Sequence, residues 1–148
     1  MQVKTSGIIL HQVRYTDSTV IVNIFTREFG RMAYFVRGAN KKGSACRSAL
    51  LQPLSIVEIE AVHHSRKTIQ TIREMRVAVP FFDIPFDPVK NTLALFIAEI
   101  LLKTLKHSEN DDDLYNFIEN SIRELDTCKE GLGNFHLVFM IQLSHYLG

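Results

Sequence analysis

Residues 19–37 read TVIVNIFTREFGRMAYFVR. Val20, Val22 and Ile24 alternate with Ile21, Asn23 and Phe25, so a strand over Thr19–Arg27 sends the two sets to opposite faces. Glu28-Phe29-Gly30 makes a short turn, with Gly30 free to take positive φ. A strand over Arg31–Arg37 returns, with Arg31, Ala33, Phe35 and Arg37 on one face and Met32, Tyr34 and Val36 on the other. The stretch is therefore a β-hairpin, and its second strand carries two guanidinium groups flanking an aromatic ring. The following loop, through Gly38, Lys41, Lys42, Gly43 and Arg47, adds three cations and no carboxylate. Positive charge for phosphates beside a ring for bases is the chemistry that single-stranded nucleic acid requires. The bland alternative for this segment is a half-buried strand followed by a solvated turn.

Working outward, the same pattern recurs. Residues 3–14 (VKTSGIILHQVR) are rich in β-branched and apolar side chains, and Tyr15-Thr16-Asp17-Ser18 supplies turn chemistry before the hairpin. After the basic loop, Pro53 opens a strand over Leu54–Val62, His63-His64-Ser65 turns the chain, and Lys67–Val79 forms a fifth strand. Five short strands without a convincing helix predict a small all-β barrel or sandwich. A long polar third connection suits an OB-fold barrel over residues 1–80.

At PFFDIPFDP, residues 80–88, three prolines exclude regular helix, and the phenylalanines indicate a linker that packs down. Asp87 is a suitable N-cap with Pro88 at the first helical position, and the helical pattern runs to His107. Asp111, Asp112 and Asp113 suit the start of a second helix, Leu114–Cys128. Gly131-Leu132-Gly133 precedes a third, Asn134–Tyr146, that is apolar almost all round. A helix of that kind is normally buried in a larger bundle, so residues 81–148 read as a partial, truncated helical domain.

The net charge of +1 hides a division: residues 1–80 hold 12 Lys+Arg against 5 Asp+Glu, and residues 81–148 hold 5 against 11. A basic half is a hint of polyanion binding. Cys46 and Cys128 stand far apart, which signals neither a disulfide framework nor zinc and fits a reducing cytosol. No apolar run approaches a membrane span, and the N-terminus lacks the apolar core of a signal peptide.

Catalytic signatures are missing. GANKKGS, residues 38–44, lacks the Lys after the second Gly that a phosphate-binding loop needs. The six histidines, His11, His63, His64, His107, His136 and His145, follow no metal-ligand spacing, no serine sits in a GxSxG elbow, and Cys46 has basic neighbours but no identifiable base. The reading is a non-enzyme with no metal and no cofactor. What remains is the basic set Arg14, Arg27, Arg31, Arg37, Lys41, Lys42, Arg47, Arg66, Lys67, Arg73 and Arg76, interleaved with Tyr15, Phe25, Phe29, Tyr34 and Phe35. Closing the strands into one barrel brings several of these cations to a shared side, and a groove of one sign focuses the field on a polyanion.

Taken together, GIILHQVRY (residues 7–15), TREFG (26–30), VRGA (36–39) with its basic sequel, and LQP (51–53) resemble the recombination mediator family RecO over the first half of the chain. The all-helical region after the prolines is also similar to that family. The resemblance implies an OB-fold that binds single- and double-stranded DNA, joined to a helical domain. It further implies DNA repair by recombination: annealing of complementary strands and loading of recombinase onto strands coated by single-strand-binding protein. The implied partners are RecR and the acidic, apolar C-terminal tail of single-strand-binding protein, and the implied location is the bacterial cytoplasm, nucleoid-associated. Carried onto matching positions, it names Arg14, Arg31, Arg37, Lys41, Lys42 and Arg47 as DNA contacts. Lys103 and Lys106, beside the apolar first helix, are candidates for a tail carboxylate. Family members usually continue beyond this length, and many carry a zinc-binding cysteine cluster with no counterpart here. The alternative reading is a protein-interaction adaptor that uses the barrel and exposed apolar helices without DNA.

Overall fold

Strand alternation and the proline break resolve into a five-stranded barrel followed by three helices in the computed structural model, which describes residues 1–38, 50–106 and 109–148. The strands are β1 (Gln2–Arg14), β2 (Thr19–Thr26), β3 (Gly30–Arg37), β4 (Ile56–Val62) and β5 (Ile69–Val79). They close in the order β1-β2-β3-β5-β4, antiparallel except for the short parallel contact of β3 with β5. This is the OB-fold arrangement. Closure removes the exposed sheet edge that would otherwise recruit other strands. Gly30, at φ 69°, makes the β2–β3 turn that its sequence predicts.

Alternation sorts the side chains into two cores. Ile9, Val20, Val22, Ile24, Tyr34, Val36, Val57, Ile59 and Ile72 fill the barrel. Ile8, Leu10, Phe25, Leu54 and Ile56 point outward from the barrel and join a second core with Ile97, Leu101, Ile118, Ile122 and Phe139 of the helices. The helical layer is thus packed on the outside of β1 and β2. Gly7 lies between both neighbours, opposite Thr26 and Val57, and a Cβ there would run into Ile24 Cγ2.

β4 begins two residues later than the hydrophobic pattern predicts. Leu54 takes φ 68°, costly for a branched side chain, and is held there by full burial and by its N–H donating to Ile9 O at 2.7 Å. Ile9 N–H donates in return to Ser55 O at 3.0 Å. Residues 54–55 are therefore a kink locked onto β1. β5 also starts later, at Ile69, because Gln70 ties the preceding turn together: its amide donates to His64 O and Lys67 O and accepts from His64 N–H.

The helices are α1 (Pro88–Thr104), α2 (Asp112–Thr127) and α3 (Leu132–Leu147). Asp87 caps α1 by accepting from Val89 and Lys90 N–H, and Asp111 caps α2 by accepting from Leu114 N–H. α3 starts at Leu132, earlier than predicted, because Gly131 alone takes the left-handed conformation and Gly133 continues the helix. The linker packs down as its composition suggests, and the cause is a buried polar cluster. The Asp126 carboxylate accepts from Phe82, Asp83 and Ile84 N–H, each at 2.9 Å. Lys90, 2% exposed, donates to Asp83 Oδ2 and Asp126 O. No helix among the described residues is long and apolar enough to cross a membrane.

Candidate nucleic-acid interface

Register divides the outer face of β1–β2–β3 into four rows, running from the helices to the turn end of the β1–β2 hairpin. The first row, Ile8–Phe25–Arg31, lies against the helices. The second is His11–Asn23–Ala33–Ile69 and the third Val13–Ile21–Phe35–Thr71. The fourth is Tyr15–Thr19–Arg37, where Tyr15 N–H donates to Thr19 O and Thr19 pairs with Arg37. No row contains a carboxylate.

Arg31 and Arg37 share this face, as the alternation predicts, but they meet different surroundings. Arg31 Nη1 donates to Leu102 O at 2.6 Å, in the last turn of α1, and Nη2 to Asn23 Oδ1 at 3.5 Å. A helix end leaves carbonyls without intrahelical partners and carries partial negative charge, so a guanidinium is well matched to it. Burial lowers the Arg31 pKa from its ordinary value. Arg31 is a clasp between barrel and helix. Arg37, at the far end of the strand, is exposed.

Around Arg37 the surface is aromatic and basic. The Tyr15 and Phe35 rings lie 5.3 Å apart and tilted by 54°, and Tyr15 is 62% exposed. Arg73 is the extra residue of a bulge in β5, exposed, and one step beyond the Phe35–Thr71 pair at the same end as Arg37. Arg66 and Lys67, in the turn before β5, are also exposed. Arg14 is exposed but leaves on the other side of the hairpin: its register partner Val20 and that residue's partner Val36 both point into the barrel. Lys41, Lys42 and Arg47, like Cys46 and His107, lie outside the described residues.

Lys4, Arg27 and Arg76, elsewhere on the barrel, have these partners. Lys4 pairs with Glu60 at 3.1 Å and Arg76 with Glu58 at 2.8 Å. Arg27 sits 4.3 Å from the centre of the Tyr115 ring, donates to Asn116 Oδ1 at 2.8 Å and faces Asp112 at 3.6 Å. Burial pushes the Tyr115 hydroxyl up to about 12. On α1, Lys103 holds Glu99 at 3.3 Å, while Lys106 is exposed just past the helix. The structure therefore brings together Arg37, Phe35, Tyr15 and Arg73, and separates Arg31 and Arg14 from them. Tyr15 and Arg73 are the members that local sequence reading left out of the contact set. Their signal was weak, since one reads as a turn residue and the other as one arginine among several.

No group of three or more metal-ligating side chains occurs among the described residues. An apolar groove of about 740 Å³ runs between β5, the linker and α1, lined among others by Val77, Val79, Ile84, Phe86, Ala94 and Leu95.

Comparison with known proteins accounts for both parts of the chain. The family model described as Recombination protein O N terminal matches residues 1–81, and the one described as Recombination protein O C terminal matches residues 85–148. The protein named DNA repair protein RecO of Phocaeicola vulgatus is 40% identical over 98% of this chain and 60% of its own length. Those of Flavobacterium psychrophilum and Porphyromonas gingivalis are 37% and 36% identical over the whole chain and 62% and 61% of their own lengths. The chain thus spans about three fifths of the length of the curated relatives it matches. With a family model covering each part and relatives aligned across both, the chain belongs to the Recombination protein O family.

Proposed function

We propose that this chain is the DNA-binding part of a recombination mediator, acting in DNA repair without catalysing a reaction. It binds single- and double-stranded DNA, anneals complementary strands and helps load recombinase onto strands coated by single-strand-binding protein, with RecR as a partner. The observation that carries this reading is the clustering of cations and aromatic rings at one end of the outer face. At the turn end of the β1–β2–β3 face the exposed Arg37 and Arg73 stand around the Tyr15–Phe35 ring pair, so that charge and aromatic surface lie side by side. Binding there releases counterions from phosphates, and two strands held in one positive field repel each other less, which is a physical route to annealing. The acidic tail of single-strand-binding protein is assigned to the end of α1, at Lys106 with Lys103 in exchange for its Glu99 pairing.

The test is fluorescence anisotropy with labelled single-stranded DNA over a salt series. Each phosphate contact adds about −0.7 to the slope of log K against log salt, so Arg37→Ala/Arg73→Ala should flatten it by about 1.4. Absence of binding even at low salt refutes the reading. An unchanged slope moves the groove away from β3 and β5. A second reading, a protein-docking adaptor, draws on the apolar groove beside α1 and on Phe82 and Phe86, 74% and 81% exposed on a linker that Asp126 holds fixed. A salt-insensitive protein complex without DNA affinity would favour it.

A further inference from the structure

We infer that Tyr15, backed by Phe35, is a stacking platform for an unpaired base and sets a preference for single-stranded over duplex DNA; this rests on the DNA-binding reading above. Phe25 and Tyr34 are fully buried, whereas Tyr15 keeps 62% of its surface in water at the tip of β1. Its position is nevertheless fixed from two sides. The Tyr15 and Thr16 N–H groups both donate to Thr19 O, at 2.9 and 3.0 Å, closing the turn, and the tilted Phe35 ring supports it at 5.3 Å. A ring held in this way loses little freedom when a base lands on its open side.

The neighbourhood suits a base with its phosphates attached. Val13, 49% exposed, continues the apolar strip along β1, and Arg37 and Arg73 flank the strip on β3 and β5. Every base presents a π-face, so stacking of this kind tolerates any sequence. In a duplex, however, both faces of each base are already covered by its neighbours. Only the phosphate contacts are then available, and a platform discriminates between the two forms where arginines do not.

The experiment measures affinity of the full chain for fluorescent oligo(dT) and for a blunt duplex, with Tyr15→Ala, Tyr15→Phe and Arg37→Ala/Arg73→Ala. Loss of one base–aromatic stack should weaken oligo(dT) binding by about 10-fold in Tyr15→Ala. Duplex affinity should hold, and Tyr15→Phe should restore the wild-type value. The chain has no Trp and 4 Tyr, of which Tyr34 and Tyr115 are buried and Tyr15 and Tyr146 exposed, so the part of the tyrosine quenching that disappears in Tyr15→Phe belongs to Tyr15. Oligo(dT) should quench it in the wild type and much less in Tyr15→Phe. Equal losses on both DNAs, or no loss on either while Arg37→Ala/Arg73→Ala weakens both, overturn the platform and leave DNA binding standing. If the wild type binds neither DNA at low salt, the parent reading falls and the platform with it.

Discussion

Replacing Asp126 tests what fixes the helices on the barrel. The residue is 4% exposed, and its carboxylate accepts the N–H groups of Phe82, Asp83 and Ile84 in the linker that follows the barrel's last strand. Hydrogen bonds to a charged acceptor contribute about 1.5–3 kcal/mol each, but partly buried donors recover some of this from water. The N–H groups of Phe82 and Asp83 are partly buried, and that of Ile84 is buried. Asp126→Ala should therefore cost about 3–4 kcal/mol, mostly through the orphaned Ile84 donor and the loss of a charge-assisted cluster. Asp126→Asn should cost about 1–2 kcal/mol. Its amide oxygen can replace Oδ1, which serves Asp83 and Ile84, while its NH2 would oppose the Phe82 N–H that Oδ2 now accepts at 2.9 Å. Urea unfolding followed by tyrosine fluorescence and far-UV circular dichroism measures both. The graded order is the sharp part. A cost for Asp126→Ala below about 0.5 kcal/mol, the scatter of ordinary surface changes, or a larger cost for Asn than for Ala, would refute the assignment.

Two further outcomes follow from groups at the barrel's rim. Arg31→Met leaves Leu102 O without its donor and should cost about 1–2 kcal/mol in urea unfolding while changing single-strand affinity less than about 2-fold; a large affinity loss with stability unchanged would return Arg31 to the DNA contacts. His63 shares a hydrogen bond with Tyr34 Oη at 2.8 Å, and burial, followed by the charge of the N-terminus, lowers its pKa below 6.5. The unfolded chain then binds the proton more readily, so the stability tied to neutral His63 is fully present above pH 6.5 and is lost as pH falls toward the folded pKa. Thermal melts should drop across that acid window in the wild type and flatten in His63→Gln; parallel curves would remove His63 as the cause.

The barrel was legible in the sequence because strand faces alternate with period two, and each hairpin carries its own turn residues. The same arithmetic placed Arg31, Ala33, Phe35 and Arg37 on one face, where the register puts them. It had no means of saying what would cover that face. Arg31 meets Leu102 O across 71 positions, and Ile84 meets Asp126 across 42, separations at which local pattern carries no information. The kink at Leu54 was hidden for a related reason. A leucine at positive φ defies local preference and is retained through burial against β1 and the helices and through its hydrogen bond to Ile9 O. Tyr15 read as turn chemistry, and only closure of the β1–β2 hairpin brings its ring to Phe35.

The charge division between the two halves has a structural use beyond any polyanion. Arg27 and Arg31 are two of the basic half's cations, and both face helices: Arg27 the Tyr115 ring and Asp112 at the start of α2, Arg31 the carbonyl end of α1. Arg31 meets the negative C-terminus of α1, which suits a cation, whereas Arg27 reaches the N-terminus of α2 through the Asp112 carboxylate that suits that end. The two contacts lie at opposite ends of the β2–β3 turn, so together they resist rotation of the helical layer about the barrel. That layer covers the first row of the outer face and leaves the hairpin end open. On the DNA-binding reading proposed above, a strand on this face would be confined to the rows around Phe35 and Arg37. Loosening either clasp should widen the accessible face and shift DNA contacts toward β3's N-terminal half, rather than abolish them.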